Sequence, residues 1–192
     1  MDPGDLRAFD ADATPPAGTE TATFALGCFW GPDVEFGARD GVVRTRVGYA
    51  GGTDEGPTYR DLGDHSEAIQ VDYDPAVVSF ADLVDVAVAS HDPRRQPRRR
   101  QYQSVLFYEA GEEREAIEAR LDEIRADVET RVEPLDTLHL AETYHQKYNL
   151  RSDPARLSAF EEAGYDDAQI RESPAAARLN AAVAGRDVPD IA

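Results

Sequence analysis

The stretch from Thr21 to Pro32 constrains the fold of this chain most. Thr21 to Leu26 alternates threonine with small or apolar residues, the pattern of a buried strand. Gly27 breaks it, and Pro32 stands where a first helical residue can do without its N–H. Asp33 and Glu35 follow as the acidic residues favoured in a first helical turn. A strand, a glycine turn and a helix therefore meet within twelve residues. They commit the chain to a sheet covered by helices, and they place Cys28, the only cysteine, beside a helix N-terminus. Unpaired amides there favour a thiolate, the nucleophilic form of cysteine. The alternative is an inert, buried thiol. The glycines at 27 and 31 favour the reactive reading, because they let backbone and aromatic rings approach a ligand.

The remaining pattern extends this unit. Val42 to Tyr49 reads as a second strand and Glu67 to Tyr73 as a third, with a non-periodic loop between them. Ser79 to Asp82 resembles a capping box that opens a helix to about Ser90. Tyr102 to Tyr108 reads as a fourth strand. A long charged helix is expected over Glu112 to Glu129, with Ile117, Leu121, Ile124 and Val128 as its apolar stripe. Shorter helices are expected over Ala141 to Leu150, over Asp153 to Ala163, and beyond Asp166. The order predicts an α+β sandwich close to a ferredoxin-like arrangement, with helices on a mixed or antiparallel sheet. Residues 1–20, rich in Asp, Ala, Pro and Thr, are expected to form a disordered arm, residues 21–165 one catalytic domain, and residues 166–192 a helical extension.

Charge narrows the partners. Twenty basic against 38 acidic residues leave a net charge of −18, which repels nucleic acid and anionic membrane. No apolar run reaches the length of a membrane span and Met1 to Glu20 has no hydrophobic signal-peptide core, so a cytoplasmic protein is expected; a monomer is expected as well. Lys147 is the only lysine, and with the aspartate excess this bias suggests a halophilic source. Unfolding in urea should then require more denaturant in molar salt than in dilute buffer, and an unchanged midpoint would remove that reading. One cysteine excludes an internal disulfide and any multi-cysteine zinc site. Glu142 and His145 have a helical metal-ligand spacing, but no second copy of the pair exists, so no metal and no cofactor is expected.

Gly27-Cys28-Phe29-Trp30-Gly31 resembles the signature of A-type peptide methionine sulfoxide reductases. Six further segments are similar to the same family: Gly48 to Gly52, Pro57 to Arg60, His65 to Ala68, His91 to Pro93, Gln101 to Ser104 and Ala141 to Gln146. The resemblance implies reduction of the S epimer of methionine sulfoxide, free or in proteins. Cys28 would be the nucleophile, Glu67 the proton donor, and Tyr59 and Tyr102 the hydrogen-bond donors to the sulfoxide oxygen. Phe29 and Trp30 would hold the methyl group. Two features depart from the family. Pro97-Arg98-Arg99-Arg100 stands where an aspartate-containing loop is usual, and the loop before Glu67 is short. The arginines would hold Glu67 ionised, attract an anionic substrate or reductant, or form a solvated loop; the residues leave all three open. Attack on the sulfoxide would leave Cys28 as a sulfenic acid, and no second thiol exists in the chain. An external reductant is therefore expected, either a thioredoxin-type protein or a small thiol. A cysteine peroxidase and a catalytically impaired sulfoxide-binding module are the alternatives. Met1 is the only methionine, so the folded body holds no substrate for this chemistry.

Overall fold

The computed structural model describes residues 2–13, 15, 18–124, 127–189 and 191. In chain order the elements are helix α1 (Pro3–Ala13), strand β1 (Glu20–Leu26), α2 (Trp30–Gly37), β2 (Val42–Ala50), β3 (Ser66–Tyr73), α3 (Phe80–Ala89), β4 (Ser104–Tyr108), α4 (Gly111–Asp122), β5 (Arg131–Pro134), β6 (His139–Leu140), α5 (Tyr148–Arg151), α6 (Pro154–Glu162), α7 (Asp167–Glu172) and α8 (Pro174–Val183). Short 3₁₀ turns cover Arg100–Tyr102 and Thr143–His145.

One six-stranded sheet runs in the order β5-β4-β1-β3-β2-β6. Its four central strands have the ferredoxin-like order expected from the sequence. Every pairing is antiparallel except β4 with β5. The period of two explains why both faces are apolar at the centre. Along β1, Ala22, Phe24 and Leu26 enter the main core with Ile69 and Val71 of β3, Phe36 of α2, Leu83 and Val84 of α3 and Ile117 of α4. Ala25 points the other way, joining Ala68, Val105 and Phe107 under Leu135 and Leu138. The sheet thus holds β1 at its centre, and Cys28 follows two residues beyond the end of that strand.

Three readings change. Residues 3–13 form a helix where an arm without structure was expected, because Leu6 is fully buried with Leu150, Phe160, Ile170 and Leu179. Arg7 donates to the carbonyls of Ala163 and Gly164 at 2.8 and 3.2 Å and lies over the Tyr165 ring. Asp10 accepts from the Tyr165 hydroxyl and the Ala175 amide. Composition is blind to such distant partners. The long helix stops at Asp122; Ile124 and Val128 still pack on the core, but the amides of Glu129 and Thr130 donate to the Pro93 carbonyl and lead into β5. The expected helix from Ala141 is replaced by β6, a 3₁₀ turn and the short α5. Gln146 explains the break: its side chain accepts from the Val47 amide at 3.0 Å and donates to the Val47 and Ala141 carbonyls, standing in for a sheet partner.

Candidate active site

Gly27, at φ +86°, turns the chain out of β1 in a conformation that side-chain-bearing residues rarely adopt. Cys28 follows, exposed, with Phe29 capping α2 behind it. The expected help from the helix N-terminus is present, since the Trp30 amide pulls the thiol pKa down. Loss of solvation outweighs it, and the nearby Glu67 charge adds to the rise, so the resting thiol lies above its ordinary value. At neutral pH the resting form of this exposed residue is therefore the thiol.

Glu67 lies on β3 and is 1 % exposed. Its Oε2 accepts the Phe29 amide at 3.1 Å and its Oε1 accepts the Gln101 side chain at 2.6 Å. Burial pushes its pKa up, opposed by these two hydrogen bonds. Among the described residues no arginine makes a hydrogen bond or ion pair with it. Arg100 turns away to the carbonyls of Asp64 and Gly51 at 2.7 and 2.5 Å, and its own carbonyl accepts the Ser66 hydroxyl. Of the three readings of the arginine run, the one in which it holds Glu67 ionised is removed.

Tyr102 lies in the 3₁₀ turn just before β4. Burial raises its pKa first, followed by the Glu67 charge, Tyr59 and Cys28, so these groups surround its hydroxyl and keep it protonated. Tyr59 is 40 % exposed. The shortened loop is anchored by Glu142, whose Oε1 accepts the Tyr59 amide at 3.0 Å and whose Oε2 accepts the Tyr49 hydroxyl at 2.7 Å. Burial would raise Glu142, but these hydrogen bonds hold it below the usual carboxylate range. Glu142 therefore ties the loop at Tyr59 to Tyr49 on β2. No group of three or more potential metal ligands occurs among the described residues.

The aromatic wall is larger than Phe29 and Trp30. Phe29 is 1 % exposed and meets Tyr49 and His145 with ring centroids at 6.0 and 5.2 Å. Trp30 stacks on Tyr148 at 3.8 Å. His145 sits against both and against Tyr59 at 4.6 Å; desolvation lowers its pKa, leaving it neutral. Sequence reasoning gave Tyr49, Gln101, Glu142 and Tyr148 no role. All four fall inside or beside segments it did single out, which is the one signal that pointed toward them.

A family model described as "Peptide methionine sulfoxide reductase" matches residues 20–176. The chain belongs to the peptide methionine sulfoxide reductase family. It is 46 % identical over 152 residues to the MsrA of Methanothermobacter thermautotrophicus, covering 71 % of this chain and 89 % of that protein. Reduced Mxr1 of Saccharomyces cerevisiae superposes with a TM-score of 0.66 at 29 % identity, covering 73 % of this chain and 89 % of Mxr1. Mxr1 in complex with Trx2 gives 0.53 at 27 % identity, covering 67 % and 85 %. The site lies within the matched residues. No helix among the described residues is long and apolar enough to cross a membrane.

Proposed function

We propose that the chain is a thiol-dependent reductase of the S epimer of methionine sulfoxide, with Cys28 as nucleophile and Glu67 as proton donor. The observation that carries this is a buried carboxyl with a raised pKa, fixed by the amide that follows Cys28. Reduction needs a proton on the sulfoxide oxygen as a thiol attacks its sulfur, and a solvated carboxylate cannot supply one at neutral pH. Tyr59 and Tyr102 steady the same oxygen with neutral hydroxyls. Phe29 and Trp30 cradle the methyl group, and Tyr148 extends that surface. The substrate sulfur gains two electrons and leaves as methionine; Cys28 becomes Cys–SOH.

A thiol from outside the chain then regenerates Cys28. The Mxr1 complex with Trx2 supports a thioredoxin-type source, and a small thiol is the other. The acidic exterior carries no lysine, because Lys147 is fully buried, and this suits work in concentrated salt.

The deciding measurement is mass spectrometry of reduced protein mixed with each epimer of a methionine sulfoxide peptide, without reductant. The expected result is one oxygen on Cys28 and one methionine per protein with the S epimer alone. Oxidation of Cys28 by hydrogen peroxide but by neither epimer would sink the reductase reading and favour the peroxidase one.

A further inference from the structure

The expected sulfenic acid is presented to two different surfaces. One side holds Glu67, Tyr59, Tyr102, Phe29 and Trp30. On another side Cys28 opens into a groove of about 410 Å³, formed where the start of α2 meets the end of α3, and none of those five residues lines it. Its apolar floor includes Pro32, Val86 and Ala89. Its rim carries two arginines on one carboxylate: Arg39 pairs with Glu35 Oε1, and Arg186 Nη2 lies 2.7 Å from Glu35 Oε2. Among the residues that line the groove two cations face one anion, with Asp40 and Asp187 next in sequence outside the lining, in a chain whose net charge is −18. Such a spot selects for anions by contrast with everything around it.

We infer that this groove seats the resolving thiol, and that the thiol is a small molecule bearing carboxylate groups. The inference rests on the proposed role of Cys28 and adds the class of its reductant. Displacement at sulfur runs in line, with the incoming sulfur opposite the departing oxygen. The proposed proton donors of the sulfoxide step, Glu67 and Tyr102, define the side from which the oxygen arrives, so the thiol enters from a side those residues do not occupy. The thiol sulfur bonds to Cys28 Sγ, the S–O bond breaks, and the hydroxyl leaves as water with the proton of the thiol. A second molecule of the same thiol attacks the mixed disulfide, frees Cys28 as a thiol and carries away the two electrons as its own disulfide. A rim of exposed arginines 39 and 186 meets the carboxylates and leaves the thiol end free to reach Cys28.

The test oxidises Cys28 with one equivalent of hydrogen peroxide, so that the thiol step is read independently of any sulfoxide. Resolution by mercaptosuccinate, 2-mercaptoethanol and cysteamine is then timed by mass spectrometry at low salt, where exposed charges are least screened. Each rate is divided by that thiol's rate with 4,4′-dithiodipyridine to remove intrinsic nucleophilicity. Mercaptosuccinate should exceed cysteamine by about tenfold or more, the scale of electrostatic steering. The ratio should fall toward one in Arg39→Gln/Arg186→Gln and below one in Arg39→Glu/Arg186→Glu. Ser90→Glu, which puts a negative charge on the facing wall without touching the arginines, should lower the ratio by itself. A wild-type ratio near one, or a ratio unmoved by all three variants, overturns the inference. So does resolution by a thioredoxin about a thousandfold faster than by mercaptosuccinate and indifferent to the same variants. Failure of the sulfoxide half-reaction with a preserved thiol preference would instead count against the reductase reading alone.

Discussion

Glu67→Gln should slow the oxidation of Cys28 by the S-sulfoxide roughly 10²- to 10⁴-fold, the usual worth of a positioned general acid. The amide fills the same buried space and can still accept the Phe29 N–H, but it has no proton to give the sulfoxide oxygen. At a pH above the raised Glu67 value, where the native carboxyl is ionised, the same change should leave Cys28 more easily alkylated by iodoacetamide. In the native protein the Glu67 charge is one of the groups that raise the thiol pKa, and the variant removes it. Unfolding would also relieve the burial of Cys28 and speed its alkylation, so the near-ultraviolet circular dichroism of the variant should match that of the wild type. Sulfoxide reduction within tenfold of wild type would exclude Glu67 as the acid.

The pH dependence has a definite sign. Burial raises Glu67 above its ordinary value of 4.5, so the acid form persists into less acidic solution and the rate falls as pH rises through the raised value. This limb should vanish in the glutamine variant. Stability is linked to the same proton. Between 4.5 and the raised value the folded chain binds a proton that the unfolded chain has released, so folding loses stability as pH rises across that window. Measured against Glu67→Gln, urea midpoints of the wild type should therefore decline from acid toward neutral pH. The proposed acid function and that cost have one origin, the desolvation of a carboxyl group.

What the chain discloses locally and what it does not divide along sequence separation. The four central strands and the helices α2 and α3 follow from period and punctuation, signals that lie within each segment. Ser79 is an example: its side chain accepts the Asp82 amide and Asp82 returns the bond, as a capping box requires. The missed parts depend on partners far along the chain. Glu142 looks like half of a helical ligand pair until the Tyr59 amide, 83 positions away, is brought to it. The Tyr102 segment reads as strand by composition, yet Tyr102 closes a 3₁₀ turn in which the Gln101 side chain donates to Glu67. Arg98 to Arg100 look like a charge to be set against Glu67, but Arg100 is drawn to backbone carbonyls instead. Residue types named the chemistry, whereas orientation needed the fold.

Lys147 is the case in which a local oddity proves to be a long-range device, and its removal should have the largest effect on stability. This residue is 0 % exposed and has φ +54°, the left-handed region that only a well-held non-glycine residue occupies. Its Nζ donates to Thr45 O at 2.5 Å, Thr45 Oγ1 at 3.0 Å and Asp33 Oδ1 at 3.2 Å. Asn180 closes the network by donating to Asp33 Oδ2 at 3.1 Å and accepting the Asn149 and Leu150 amides. Three acceptors around one nitrogen match the three donors of an ammonium. Burial pulls the pKa of Lys147 down, and Asp33 opposes it. The network ties the first turn of α2, which follows directly on Cys28, to β2, α5 and α8.

Lys147→Met keeps most of the stem and strands a buried carboxylate, which should cost about 3–5 kcal/mol in urea unfolding. Adding Asp33→Asn removes the stranded charge, so the double variant should recover much of that loss. Because Tyr148 follows Lys147 and stacks on Trp30, fluorescence of the only tryptophan should shift in the single variant and return toward wild type in the double one. Lys147→Arg separates charge from shape: it preserves the cation but forces a planar fork into a site built for one nitrogen, and it too should destabilise, by about 1–3 kcal/mol. That geometry gives a physical reason for a lysine here in a chain whose other basic residues, histidines aside, are all arginine. If Lys147→Arg is as stable as wild type, the pocket does not demand a point charge and the network is held by charge alone.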